Sequence, residues 1–456
     1  MKTVWEKYDD SKLQQVFKFS DSYKEFLDEG KTERECVKKA IELAKERGFK
    51  DLASVTELKA NDKVYVNNRG KNICLFVIGE KDVVDGMNIL GAHIDSPRVD
   101  LKPNPVYESE GLCLLDTHYY GGIKKYQWVA HPMALHGVVC KKDGTTVEIK
   151  IGDDANDPVI GFTDLLIHLS QDQMKKPGAT VVEGEDLNVL CGSYPAKGEK
   201  DEKDLVKANI LKILKDKYDI EEDDFLSAEL SIVPAGKARD YGLDSSMVMA
   251  YGHDDRVCAY TSLMAILDTD KPERTSCCIL VDKEEVGSQG NTGMQSRFFE
   301  NAVAEVISKT GVYDDMKLRL TLRNSRMLSS DVSAGFDPNY PGVFEPKNAA
   351  FLGRGLCFNK YTGARGKSGC NDANAEFVAK VRETMDKNDV DFQFAELGKV
   401  DQGGGGTIAY ILANLDMDVI DAGVAVLNMH ACYEIASKAD IYEAYRGYMA
   451  FLKDMK

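Results

Sequence analysis

Cys36, Val37, Ala40, Ile41 and Ala44 recur three and four residues apart, which places them on one face of a helix over 32–47. Thr32 and Glu35 form the capping-box pattern that opens such a helix, and Gly48 stands where it should stop. A second helix is predicted just before it, over 11–29. Apolar runs then predict strands at 63–67, 72–78 and 87–93. The last of these runs into Gly91-Ala92-His93-Ile94-Asp95-Ser96-Pro97-Arg98, where polar residues abruptly replace apolar ones. A buried strand ending in His and Asp is where an open α/β sheet places its ligands.

From about residue 104 the texture changes. Segments 128–139 and 145–151 read as strands flanking a turn at Asp143-Gly144, and Tyr119-Tyr120-Gly121-Gly122 as a tight loop. A charged helix is predicted over 201–218. The α/β pattern resumes near Met247, with a strand at 276–281, a helix at 294–308, a strand at 317–323, a helix at 374–385 and strands at 390–396 and 419–422. The expectation is an α/β protein: a mixed sheet flanked by helices, made of 1–103 and 237–456, interrupted by an inserted, mainly β domain at 104–236.

Composition agrees with more than one domain: 456 residues predict two or three at roughly 100–200 each. The net charge of −17 argues against nucleic acid or an anionic membrane as the main partner. No apolar stretch follows the polar segment Met1–Asp10, so no secretory signal is expected, and no run approaches the ~20 apolar residues that span a bilayer. The 11 cysteines are odd in number and show no CxxC spacing, which points to reduced thiols and a cytoplasmic protein.

Candidate chemistry gathers at strand ends and glycine turns: His93-Ile94-Asp95, His253-Asp254-Asp255-Arg256, Lys283-Glu284-Glu285-Val286-Gly287, Ser330-Asp331 and Met429-His430. Taken singly, an Asp-Asp pair is usually a solvated loop, a Glu-Glu pair a helix surface, and a lone His a satisfied polar residue. The setting shifts that balance. Glu284 and Glu285 closely follow an apolar strand and precede a glycine, so their side chains diverge: one can bind a metal while the other faces a water. Asp95, two residues past His93, can orient a ligating imidazole. Two histidines with several carboxylates suit zinc, with cobalt or manganese also possible, and two such ions would activate water and polarise a carbonyl.

Taken together, these segments resemble the aminopeptidase I / aspartyl aminopeptidase family of dinuclear metallopeptidases. The matching pieces are Gly91 to Pro97, Asp254-Asp255-Arg256, Glu284-Glu285-Val286-Gly287-Ser288, Ser330-Asp331 with Pro338-Asn339-Tyr340, and Gly405-Gly406-Thr407 with Met429-His430, in the family's order and in both halves of the chain. The resemblance implies a zinc-peptidase-like catalytic domain that removes N-terminal residues from short peptides. It implies that His93 and Asp331 hold one ion, Glu285 and His430 the other, and that Asp254 bridges them. Glu284 would then be the general base and Asp95 the support of His93. In the wider clan the peptide bond after the bridging Asp is cis. Family members look like tetrahedral dodecamers built from dimers through the inserted domain, and a histidine of the insert reaches a neighbouring subunit's site. The match here is His168, in Leu165-Leu166-Ile167-His168-Leu169. Lys360 to Cys370 lacks the Arg-Tyr pair familiar in aspartyl members, and Ala431-Cys432-Tyr433-Glu434 stands where Ser-x-Arg-Glu is commoner, so the chain is similar to a bacterial branch with broader or neutral specificity.

Three rival readings stay open on sequence. A carboxypeptidase or deacylase of the same fold would use the same metals. An assembly protein could keep the fold and lose catalysis, although every candidate ligand and the base are present. A glycosidase using Glu284 and Glu285 would leave the histidines idle.

Overall fold

The apolar runs around residues 75 and 279 become antiparallel neighbours, Asn72–Val77 and Ser276–Val281, and every residue of both strands is buried. Burial on both faces requires helices on both sides. One face, with Ile73, Leu75, Leu90, Cys278, Leu280 and Ile420, packs with helices Asp10–Glu29, Glu33–Glu46, His253–Leu267 and Lys438–Asp454. The opposite face, with Cys74, Phe76, Ile89, Cys277, Ile279 and Val419, packs with Phe298–Thr310 and its neighbours. Leu280 is fully buried in the first of these clusters. Leu280→Ala should therefore lower the unfolding free energy by about 2–5 kcal/mol, read from a denaturant titration.

The computed structural model describes residues 3–198 and 203–456. Its contacts divide the chain into two units: residues up to Asp95 with Ala238–Met429 and Glu434–Lys456, and Ser96–Lys237 with His430–Tyr433. In the first unit a nine-stranded sheet runs in the order Lys50–Asp51, Lys63–Asn68, Asn72–Val77, Ser276–Val281, Asn88–His93, Arg326–Ser329, Asp418–Gly423, Leu356–Asn359, Phe392–Phe394. The four strands from Ser276–Val281 to Asp418–Gly423 are mutually parallel. The sheet is thus mixed, as expected. A five-stranded sheet, which includes Met247–Ala250 and Glu434–Ser437, completes the unit. The second unit is built on a seven-stranded antiparallel sheet.

The predicted helices near the start stand at Asp10–Glu29 and Glu33–Glu46, with the capping box of Thr32 and Glu35 formed. The segment 317–323, expected as a strand, is a helix, Asp315–Asn324. Leu318, Leu320 and Leu322 alternate like a strand, but Asp314 caps the turn by accepting the Lys317 N–H at 2.8 Å. Leu318 and Leu322, four residues apart, face the core, while Leu320 stays exposed. The strand on that stretch is Arg326–Ser329 instead. The helix expected from 294 begins at Phe298. The strand expected from 128 begins at Met133, directly after Pro132, which has no N–H to give to a ladder; Trp128 lies in a buried turn before it. Residues 98–103 also belong to the second unit, because Arg98–Ser109 pairs along much of its length with Leu112–Tyr120. The charged helix runs Leu205–Tyr218, and the part expected at 201–202 lies outside the described residues.

Candidate metal centre

Parallel pairing brings three loops to one edge of the sheet. Val281 lies beside His93, and Ser329 beside Gly91, so the chain leaves all three strands at the same end. His93 is the last residue of its strand, Glu284 and Glu285 follow Val281, and Asp331 follows Ser329. Asp254 enters from the start of helix His253–Leu267, after Gly252 turns the backbone through φ 78°. This is the carboxyl edge, where open α/β sheets bind ligands.

The His93 ring is fixed from one side and presented on the other. Its Nδ1 lies 2.9 Å from the Asp95 carbonyl oxygen and 3.3 Å from Asp95 Oδ1. Its Nε2 faces Asp254 Oδ1 at 3.1 Å and Glu284 Oε2 at 3.8 Å. The Asp95 carboxylate also accepts the backbone N–H groups of Glu284 at 3.1 Å and Glu285 at 3.2 Å. One buried acid therefore sets the histidine and both glutamates. The peptide bond Asp254–Asp255 is cis, as the clan resemblance implies.

Ligand-type atoms converge here in overlapping sets: His93 with Asp254 and Glu285; His93 with Glu284 and Asp331; and Asp254 with Asp255 and Asp331, each set within 4.8 Å. Packing so many acids together is costly in a low-dielectric interior. Burial, against the opposing charge of His93 and with the charges of Asp254 and Glu284 adding to it, holds the Asp255 carboxyl well above the usual carboxylate range. Asp331 is raised in the same way, by burial first and then by Asp255. For His93, burial works to lower the pKa, but hydrogen bonds to Asp254 and Asp95 and the charges of Asp95 and Glu284 outweigh it and leave the ring well above 6.5. A cation among these groups would offset the repulsion. Carboxylate oxygens with an imidazole nitrogen fit zinc, cobalt or manganese.

Of the sequence-derived site residues, the first unit brings together His93, Asp95, Asp254, Glu284, Glu285 and Asp331. His430 and His168 belong to the second unit. The His430 Nδ1 lies 2.7 Å from the Gly122 carbonyl oxygen. His168 sits in an exposed turn, and its neighbours Leu165, Leu166, Ile167 and Leu169 are exposed with it rather than packed in a core. Two buried acids at the centre had no role in the sequence reading. Asp255 completes one carboxylate set, and Glu434 accepts the backbone N–H of Asp254 at 2.9 Å. Position was the only available signal: Asp255 adjoins Asp254, and Glu434 closes the segment after His430.

A histidine and convergent carboxylates at the carboxyl edge of a mixed sheet define a metal-dependent hydrolase. Residues 26–452 match the family described as aminopeptidase I zinc metalloprotease (M18), and the chain belongs to that family. A protein of Clostridium acetobutylicum described as probable M18 family aminopeptidase 1 is 60% identical over 99% of this chain and 98% of its own length. The crystal structure of an M18 aminopeptidase from Thermotoga maritima superposes with a TM-score of 0.95 at 45% identity, covering 99% of each chain. The S. cerevisiae mApe1 dodecamer shares the fold, with a TM-score of 0.77 at 20% identity over 95% of this chain and 96% of that one. The protein is thus an aminopeptidase, a peptide hydrolase, which sets aside the carboxypeptidase, deacylase, glycosidase and silent-assembly readings.

Proposed function

We propose that the centre takes two divalent cations, zinc foremost with cobalt or manganese also accommodated, and removes N-terminal residues from short peptides. His93 and Asp331 would hold one ion and Glu285 and His430 the other, with Asp254 shared by both. The observation that carries this reading is the His93 ring, tied through Nδ1 to Asp95 and turned with Nε2 towards Asp254 and Glu284. When bound, the cations supply Lewis acidity that polarises the scissile carbonyl and acidifies water. Glu284 takes the proton of the attacking water and delivers it to the leaving amine. Asp95 keeps both glutamates and the imidazole in place through the hydrogen bonds already described.

The second unit mediates dimer contacts within a tetrahedral dodecamer; the apolar residues exposed around His168 and the dodecamer of the S. cerevisiae relative support it. His168 acts at a neighbouring subunit's centre. The protein works in the cytoplasm, in keeping with 11 free cysteines. Among the described residues, no helix is long and apolar enough to cross a membrane.

Chelation should abolish hydrolysis of leucyl-p-nitroanilide, and zinc, cobalt or manganese should restore it. N-acetyl-leucyl-p-nitroanilide should resist cleavage in every case, since an aminopeptidase needs the free ammonium. Elemental analysis should find about two ions per reconstituted chain. Full activity with a single ion per chain would overturn the dinuclear reading.

A further inference from the structure

At the start of helix His253–Leu267 the backbone of Asp254 and Asp255 is not helical (φ −83°, ψ 106° and φ −116°, ψ 31°), so the helix ladder does not serve these residues. The Asp254 N–H finds its acceptor on another element. Glu434 Oε2 accepts it at 2.9 Å. Glu434 opens strand Glu434–Ser437, which pairs antiparallel with Met247–Ala250 so that Glu434 stands opposite Ala250. That pairing holds Glu434 in line with the turn that leads from Ala250 into Asp254. The Glu434 side chain is 1% exposed. A buried backbone N–H needs an acceptor, and a neutral side chain would supply one without burying another acid beside a cluster of acids.

We propose that Glu434 is a positioning residue for the metal centre: it anchors the backbone of Asp254 so that the Asp254 carboxylate is held at the point where His93 Nε2 faces it. The proposal rests on the reading of Asp254 as a shared metal ligand. The Asp254 Oδ1 lies 3.1 Å from His93 Nε2, so a small swing of its backbone would carry the oxygen out of the ligand set. Outer partners that orient metal ligands are worth about 10–100-fold in metal affinity. Glu434 thus serves the centre through an amide, as Asp95 serves it through the amides of Glu284 and Glu285.

The test uses the full-length chain, stripped with chelator and titrated calorimetrically with zinc, alongside kinetics at saturating zinc. Glu434→Ala should bind zinc about 10–100-fold more weakly, and at saturating zinc should lower kcat at least about 10-fold with KM within about twofold. Glu434→Gln, whose amide oxygen accepts the same N–H, should recover most of both losses. Glu434→Asp, one methylene short, should behave like the Ala variant, and it keeps the question open to test if the Ala variant does not fold. Wild-type zinc affinity in the Ala or Asp variant would overturn the proposal. A Gln variant as impaired as Ala would overturn it too, because charge or packing would then be what matters. Wild-type protein that takes up no zinc overturns the metal-centre reading itself, an outcome distinct from either.

Discussion

Glu284→Gln should leave metal uptake intact and lower turnover by about 10²–10⁴-fold, the range for loss of an acid–base group. Two features separate Glu284 from Asp254. Glu284 Oε2 lies 3.8 Å from His93 Nε2, beyond the 3.1 Å of Asp254, so it is not the nearest carboxylate to that nitrogen. Its side chain is also more open, at 15% relative exposure against 5% for Asp254. A group that must collect a proton from water and hand it to a departing amine needs that access. Glutamine keeps the size and the backbone hydrogen bond to Asp95 but cannot accept and release a proton. The measurement is kcat on leucyl-p-nitroanilide together with ions bound per chain. Near-normal turnover in a metal-loaded variant would sink the assignment. A simultaneous loss of metal would move Glu284 into the ligand set.

The centre was largely legible in the sequence because parallel strands concentrate chemistry at their carboxyl ends. His93, Glu284, Glu285 and Asp331 each follow an apolar run, and a run that ends in acid or imidazole marks itself. Asp254 was legible only through its motif, since it sits at a helix start rather than after a strand. Glu434 was not assigned a role, because its contribution is one hydrogen bond to the amide of Asp254, 180 residues away in sequence. No local pattern encodes such a pairing.

The fold was less evenly legible, for a related reason. Period-two and helical patterns are distinguishable only when one face is polar. Leu318, Leu320 and Leu322 alternate with charged and polar residues, yet tertiary packing uses only the pair four apart, and a single cap at Asp314 decides for helix. The division of the contacts falls at Ser96, ahead of the change of texture near residue 104. Arg98–Ser109 continues almost directly from the segment after His93, so composition shifts several residues after the contacts do.

His168→Ala should lower activity by about 10²–10³-fold if the imidazole donates to the substrate carbonyl or the oxyanion that develops from it. The case for a shared site joins the family motif at His168 to its setting. A histidine kept for packing would be buried with Leu165, Leu166, Ile167 and Leu169, whereas all of these residues are exposed. An apolar segment that faces solvent in one chain is suited to burial against another copy. If the neighbour completes the centre, assembly becomes a condition for activity, and a dissociated chain should bind metal but turn over poorly. Complementation separates this from a role within one chain. Glu284→Gln and His168→Ala subunits, each nearly inactive alone, should regain activity when dissociated and reassembled together, with about a quarter of sites intact under random pairing. Such a site would draw Glu284 from one subunit and His168 from the next. If the reassembled mixture stays as inactive as its parents, or if His168→Ala alone is fully active, His168 does not act across the subunit boundary.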